Sequence, residues 1–483
     1  MKDFDLLNLI LKTSKEIFKT EKDLSIQANE LLNQFKGNKN YLLQFKLSNL
    51  SLVKNLLIYI MKGIYLFLLS IIFTLKKNDN HKKRGKIEVI TVSQIISLNQ
   101  NKSKDIYFGE ISNILKRKKI KHKKVYINGI GLKSINKKFN KLEDSNNLVI
   151  NTNINLISLL NIYLILFKKF IKFFFLSLNF RKNKKKRTIL RIIAFEFLNP
   201  KTVNNLIIEK KFQIFFTDFE VKNLVITFEG FSWEKMIFNA ARKISPKTRV
   251  IGYQFATLTN SQVLYSKSIN INFKPDIVWT SGKVNKNKLK KKFKNVVVVG
   301  TDRVNQLNKI NYVKKNFNFL VLPEGINYEI VTMMKFSLMC AKNFPELKFI
   351  WRFHPSINKD FIINKIINKK IPRNVIISKK KLEEDITRCS FFFYRGSTTS
   401  ITALQSGLYP VYLNLEEELN IDPLYDFNSW KTVVNTQSDF SFFIKNKIHN
   451  IFKSRQKRKM GLKFSKNYFM KLNPKIIYNS LSI

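Results

Sequence analysis

Acidic side chains are the first scarcity: 33 Asp and Glu stand against 87 Lys and Arg, a formal net charge of +54 over 483 residues. That imbalance disfavours cationic partners and points to phosphate-bearing ones, either nucleic acid or an anionic membrane surface. Part of it belongs to a wider bias towards Lys, Asn, Ile and Phe. Cysteine is nearly absent. Cys340 and Cys389 lie in apolar text without ligand spacing, which excludes a disulfide framework or a cysteine zinc site and suits a reducing cytoplasm. Histidine occurs only four times, so one placed in a motif stands out. No Asp-x-Asp pair occupies a suitable loop, so no metal site is expected. The N-terminal MKDFDLLNLILKTSKEIF lacks a compact apolar core followed by a small-residue cleavage site and does not read as a secretory signal. What is abundant is apolar: 45% hydrophobic residues and 13% aromatics exclude general disorder and supply cores for two or three domains.

Residues 1 to about 50 read as helices, with Phe4, Leu6, Leu7, Ile10, Leu11 and Phe18 on one face. Hydrophobicity then climbs from Leu52 to Leu75, but Lys54 and Lys62 break the rise and Lys76 and Lys77 close it. The uninterrupted part, Gly63 to Leu75, is shorter than the ~20 apolar residues of a bilayer span, so an interfacial helix is expected ahead of a spanning one, with a core helix as the remaining alternative. Residues 1–86 are thus read as a helical, membrane-associating region. From Lys86 the pattern becomes βαβ: KIEVITVSQII a strand, Asp105 to Arg117 a helix, KKVYING the next strand. The block Asn155 to Arg187 interleaves apolar and aromatic residues with Lys and ends in RKNKKKR, as a helix lying in an anionic headgroup layer requires. Its apolar residues run continuously instead of being spaced for stacked bases, so specific nucleic-acid binding is not expected. Strands are expected again in TILRIIAFEFL from Thr188, in FQIFFTD, in NLVITFEG, and in RVIGYQF, DIVWTSG and NVVVVG. Together these make a first α/β domain, 87–312, carrying a basic amphipathic insertion at 155–187. A polar Thr301 to Lys315 linker leads to a second, 313–483.

The second domain holds three signatures where apolar, strand-length runs stop abruptly: FLVLPEG (Phe319 to Gly325), FIWRFHP (Phe349 to Pro355) and FFFYRGSTTSITALQSGLYPVYL (Phe391 to Leu413). Ligands of open α/β sheets bind at that edge. Gly396, Ser397, Thr398 and Thr399 mark the change from strand to helix, where amides and hydroxyls form an anion site. Arg395 adds charge there, His354 can donate to a phosphate oxygen with Pro355 stiffening its turn, and Arg352 stands beside it. In the first domain Glu229 closes a strand and Glu234 opens a helix, where a carboxylate is a natural first-turn partner for free amides. Glu229 is the first candidate for a general base and Glu324 the second.

Two successive α/β domains, the second carrying Glu324 and Gly325, then His354 and Pro355, then Ser397 to Ser400, resemble the GT-B architecture of nucleotide-sugar glycosyltransferases. Within that class the chain looks most like bacterial surface-carbohydrate enzymes, among them the polysialyltransferases and the capsule Kdo transferases, over about Ile87 to Asn435. FEGFSWEKMIFNAARK followed by RVIGYQF is similar to Glu-x-x-x-Trp-Glu and Gly-Tyr-Gln-His segments of surface-carbohydrate biosynthesis proteins. The resemblance implies two Rossmann-like domains facing a cleft and a CMP- or UDP-linked sugar donor handled without a metal or other cofactor. It also implies a lipid-linked or oligosaccharide acceptor at the cytoplasmic face of the cell membrane, where the enzyme is peripherally bound. The chain departs from the pattern at Phe255, where His is usual, and at Pro323, which replaces the first acid of the acidic-acidic-glycine motif. A CDP-dependent polyol-phosphate transferase of the same architecture and a non-catalytic basic scaffold or nucleic-acid-binding protein are the competing readings.

Overall fold

The computed structural model describes residues 3–21, 23–33, 45, 48–75, 85–95, 105–128, 147–150, 153–259, 271–306, 317–353, 357, 359–366, 371–416, 418 and 420–482. The chain opens with helices α1 (Asp3–Thr20), α2 (Leu24–Ala28), α3 (Glu30–Asn33) and the long α4 (Asn49–Leu75). A first sheet begins with β1 (Gly85–Ile95), α5 (Ile111–Arg117), β2 (His122–Asn128) and β3 (Asn147–Ile150). Three consecutive helices interrupt it, α6 (Leu156–Leu178), α7 (Lys184–Glu196) and α8 (Pro200–Asp218). It resumes with β4 (Phe219–Thr227), α9 (Ser232–Ile244), β5 (Arg249–Gln254), β6 (Ile277–Thr280), α10 (Lys283–Leu289) and β7 (Val296–Val298). A short turn of helix, Asp302–Gln306, precedes the second sheet. That sheet is built from β8 (Phe319–Leu322), α11 (Asn327–Asn343), β9 (Phe349–Trp351), α12 (Lys359–Ile366), β10 (Val375–Ile377), α13 (Leu382–Thr387), β11 (Phe391–Tyr394), α14 (Thr399–Gln405), β12 (Tyr409–Leu413) and β13 (Thr432–Val434). The chain closes with α15 (Gln437–Asn446), α16 (Arg455–Tyr468) and α17 (Pro474–Leu481).

Every strand pair is parallel. The orders are β3-β2-β1-β4-β5-β6-β7 and β10-β9-β8-β11-β12-β13. In both, the winding reverses between two central strands, β1 and β4 in the first and β8 and β11 in the second, which opens a crevice at their carboxyl ends. Parallel sheets are covered on both faces, hence the near-continuous apolar strands FLVL, FFFY and YPVYL, buried at every position. The GT-B-like α/β expectation therefore holds.

Several local expectations do not. TILRIIAFEFL and FQIFFTD are helical, within α7 and α8, and not strands. Ile189, Leu190, Ile192, Ile193 and Phe197 are buried along one helical face, and Asn199 with Pro200 at the first helical position starts α8. A short apolar run does not reveal its period, and here the caps decide. The helix expected from Asp105 starts only at Ile111, because the Asp105 carboxylate takes the N–H groups of Tyr107 (2.7 Å) and Phe108 (3.0 Å) in a turn. The tail crosses back to the first sheet, with the Thr301 N–H bonded to the Met470 carbonyl at 2.7 Å and Ile477 and Leu481 of α17 buried against its strands.

The helices before β1 and those inserted before β4 form one layer. α4 runs unbroken for 27 residues, about 40 Å at the helical rise, longer than the expected apolar stretch. Among the described residues it alone is long and apolar enough to cross a membrane, and only 11% of its apolar window is buried. α6 packs beside it, Tyr163 Oη lying 3.0 Å from where a side chain on Gly63 would begin. Under this layer sit two buried carboxylates. Asn199 Nδ2 donates to Glu196 Oε1 at 2.7 Å and to Tyr59 Oη at 3.3 Å, and Asn205 Nδ2 donates to Glu30 Oε2 at 3.1 Å. Burial pushes Glu196 up to about 8; the Asn199 hydrogen bond opposes this and the Glu30 charge adds to it. A carboxyl whose folded pKa is raised stabilises the fold below its unfolded value, 4.5, and loses that contribution as pH climbs through about 8. Thermal melts should therefore show a midpoint that falls between about pH 5 and pH 8, with much of the fall removed in Glu196→Gln; an unchanged slope would refute the assignment.

Candidate functional site

Register places the second domain's site residues. Leu322 of β8 pairs with Tyr394 of β11, so Glu324 and Gly396, each two residues further on, come out level at the crevice. The Glu324 carboxylate lies so close that a side chain at Gly396 would collide with it, and Ile421 Cδ1 would be 3.1 Å away. Glycine is needed here for close approach. Gly325 continues into the turn before α11, and Ser397, Thr398 and Thr399 follow Gly396 directly. The turn is tight, the Ser400 N–H bonding to the Ser397 carbonyl at 3.1 Å and Ile401 to Thr398 at 3.2 Å. α14 has only seven residues and no side-chain cap, so the hydroxyls of Thr398 and Thr399 are not spent on the helix start.

Arg395 is placed differently from a solvent-facing donor contact. It is 1% exposed, with Nε 2.9 Å from Glu329 Oε2 on α11 and Nη2 2.9 Å from Glu418 Oε2. Tyr328 Oη donates to the other Glu418 oxygen at 2.7 Å, so Glu418 is half of an internal anchor. Arg352 is likewise engaged: Nη1 donates to the Lys380 carbonyl and to Asp385 Oδ2, both at 2.8 Å, and Asp385 also accepts from Ser378 Oγ at 2.6 Å. His354 and Pro355 lie outside the described residues.

The first domain presents its own edge. Glu229 follows β4 in a loop built by Glu234, whose carboxylate accepts the N–H groups of Glu229 (3.0 Å), Gly230 (2.6 Å) and Phe231 (2.9 Å). Gly230 takes a left-handed φ of 84° to make that possible. Burial pushes Glu234 up to about 8, with the amides of this loop working against it. Glu234 is therefore the loop's internal partner, while Glu229 is half-buried at the edge. Its charge reaches Tyr107, whose hydroxyl is raised by burial first and by Glu229 next. Phe255, where relatives of the resembled segments carry His, is buried, 5.1 Å edge-on to Tyr107, with the Arg303 guanidinium 5.4 Å over its ring. Sequence reading passed over Tyr107, Thr257 and Arg303. They sit in short turns with no motif to mark them.

The two edges meet. Thr257 Oγ1, beyond β5, is 3.3 Å from Thr398 Oγ1, and the Leu258 N–H donates to Tyr468 Oη at 3.0 Å. Lys288 Nζ of α10 bridges to Asp426 at 3.1 Å. Glu324, Gly325 and Gly396 to Thr399 thus lie at the carboxyl edge of the second sheet, and Glu229 at that of the first. Among the described residues no three His, Cys, Asp or Glu side chains gather at metal-ligand spacing.

No family model matches the chain, and no curated protein matches it. Solved structures similar to it include a UDP-N-acetylglucosamine 2-epimerase from Listeria monocytogenes (7% identity, 80% of this chain, 92% of that one, TM-score 0.46). A second is the UDP-GlcNAc 2-epimerase from Neisseria meningitidis bound to UDP-GlcNAc (14%, 82% and 99%, 0.44). A third is MurG from Acinetobacter baumannii (10%, 82% and 99%, 0.43).

The anchoring of Arg395 sets an expected outcome. Arg395→Ala strands two buried carboxylates, which costs about 3–5 kcal/mol, and should lower the thermal midpoint sharply, whereas Ser397→Ala should melt with the parent. An Arg395→Ala variant with a parental melt would show that the guanidinium is not a structural anchor.

Proposed function

We propose that this protein is a glycosyltransferase that moves a sugar from a nucleotide-activated donor to a surface-polysaccharide or lipopolysaccharide acceptor. The observation that carries the reading is the meeting of two parallel-sheet edges, Thr257 on Thr398, with a glycine-hydroxyl turn and a carboxylate on one wall and Glu229 on the other. The donor's phosphate lies against Gly396 to Thr399. Gly396 lets backbone approach the phosphates, and the Ser397, Thr398 and Thr399 hydroxyls donate to their oxygens. His354 supplies a further donor, so leaving-group charge is met by protein groups without a metal. Glu324 and Gly325 border the donor sugar. Glu229 accepts the proton of the acceptor hydroxyl as that oxygen bonds to the anomeric carbon and the bond to the nucleotide's phosphate oxygen breaks. The donor is CMP- or UDP-linked.

The acceptor is carried on lipid at the cytoplasmic face, and the helical layer holds the enzyme there. Large apolar side chains on α4 and α6 face outwards, Leu57 at 59%, Leu164 at 58% and Phe175 at 61% exposure among them. Lys168, Arg181, Lys182, Lys184 and Lys185 stand exposed beside them. Other cations of the block are already neutralised internally, Lys169 by Glu21 at 2.7 Å and Lys186 by Glu16 at 2.8 Å. Apolar groups to sink and free cations to meet lipid phosphate describe an in-plane membrane face.

Calorimetric titration of the detergent-solubilised protein with CMP, CDP, UDP, GDP and their sugar conjugates should give selective binding of one nucleotide, weakened in Ser397→Ala and in Gly396→Ala. Binding of none, or variants that bind like the parent, would sink the donor site. In flotation assays the protein should rise with vesicles containing phosphatidylglycerol, and Leu164→Asp with Phe175→Asp should leave it at the bottom. Flotation unaffected by those changes would exclude this face as the attachment.

A further inference from the structure

Arg303 lies in the short helical turn that follows the first sheet, and the reading above leaves its guanidinium without a role. Its Cζ sits 5.4 Å over the Phe255 ring and 5.7 Å over the Phe469 ring. Phe255 belongs to the first domain, and Phe469 to the segment returning from the second. Two residues beyond Phe255 is Thr257, which touches Thr398. Among the described residues no carboxylate lies within ion-pair distance of Arg303 and no acceptor takes its side-chain N–H groups. Its neighbour Asp302 packs its carboxylate against the backbone of Gly109. Burial depresses the basicity of the guanidinium, and the charges of Tyr253, Glu229, Asp302 and Tyr107 counter that from a distance.

A guanidinium has five N–H donors and cannot shed its charge by deprotonating. Arg303 is half-buried, and none of its nitrogens is among the buried atoms left without a partner, so its donors stay open to an incoming anion. Aromatic neighbours take up none of its N–H donors, and a guanidinium fork is what binds a phosphate in bidentate fashion.

We propose that Arg303 is the cation of a phosphate subsite on the first-domain wall, opposite the Gly396 to Thr399 turn. The inference rests on the transferase reading and deepens it: the ligand is a phosphoanion, supplied either by the donor's nucleotide phosphate or by the diphosphate headgroup of a lipid-linked acceptor. Glu229, whose charge reaches the same cation from a distance, then works on the same side of the bound phosphate ester. Arg303 positions and neutralises; Glu229 moves the proton.

The test uses the full chain in detergent, titrated with inorganic pyrophosphate and with UDP, and exposed to neutral vesicles carrying a polyprenyl diphosphate. Arg303→Met keeps a stem between the two rings and removes the charge; Arg303→Lys keeps the charge and removes the fork. Arg303→Met should weaken pyrophosphate binding about tenfold or more, and Arg303→Lys should fall between it and the parent. Loss of UDP affinity in parallel assigns the subsite to the donor. Retained UDP affinity with lost capture of the polyprenyl diphosphate assigns it to the acceptor. If both Arg303 variants bind all three probes like the parent while Ser397→Ala loses UDP, the Arg303 subsite is wrong and the transferase reading stands. If the parent itself binds none of them, the transferase reading fails, and the subsite with it. Should Arg303→Met not give a cooperative melt, Arg303→Lys decides: parental affinity for every probe would overturn the proposal.

Discussion

A guanidinium with almost no exposed surface holds the ligand edge of the second domain in place. Arg395 ends β11, yet it points into the protein, paired with Glu329 from α11 and Glu418 from the segment after β12. Those three elements flank the crevice where the strand order reverses, so one buried triad fixes the relative height of the β8 and β11 ends and of the loop beyond β12. Burying three charges is costly unless each is paired, and removing one leaves the others uncompensated. Glu324 can rest on Gly396 because both strand ends are held level.

Behind that edge the sheet is sealed by rings. Phe319 stacks at 4.9 Å on Phe391 and at 5.3 Å on Phe349 and on Phe393, neighbours on adjacent strands. Flat side chains on neighbouring parallel strands pack in register, which resists slippage as well as water. The first domain solves the same problem with a carboxylate: Glu234 gathers three consecutive amides and so sets the loop from which Glu229 emerges. In both domains a buried acid is consumed in holding the backbone, and the acid at the cleft is a different residue.

The helical layer is built on the opposite compromise. Its outer side exposes aliphatic and aromatic residues on α4 and α6, while underneath lie Glu30 and Glu196, both raised from ordinary carboxyl values by burial before anything else. A soluble protein rarely tolerates so wide an apolar exposure without a partner.

Two successive parallel α/β units were legible from residue order alone, because buried parallel strands are written as unbroken apolar runs and their ends as abrupt changes to Gly, Ser, Thr and acids. The same rule misread TILRIIAFEFL and FQIFFTD, since a run of that length fits a buried helix as well as a strand, and it gave Arg395 and Arg352 to a ligand when both are tied to internal acids. Composition and local pattern determined the fold class, the strand ends, the Gly396 turn and the apolar blocks, as these depend on neighbours within a few residues. Tertiary structure alone decided which charges are spent internally and which remain for chemistry. It alone brought Thr257 to Thr398 and set Arg303 between Phe255 and Phe469. Pairing across 23 to 166 residues is fixed by how sheets and tail pack in space, and no short-range periodicity carries it.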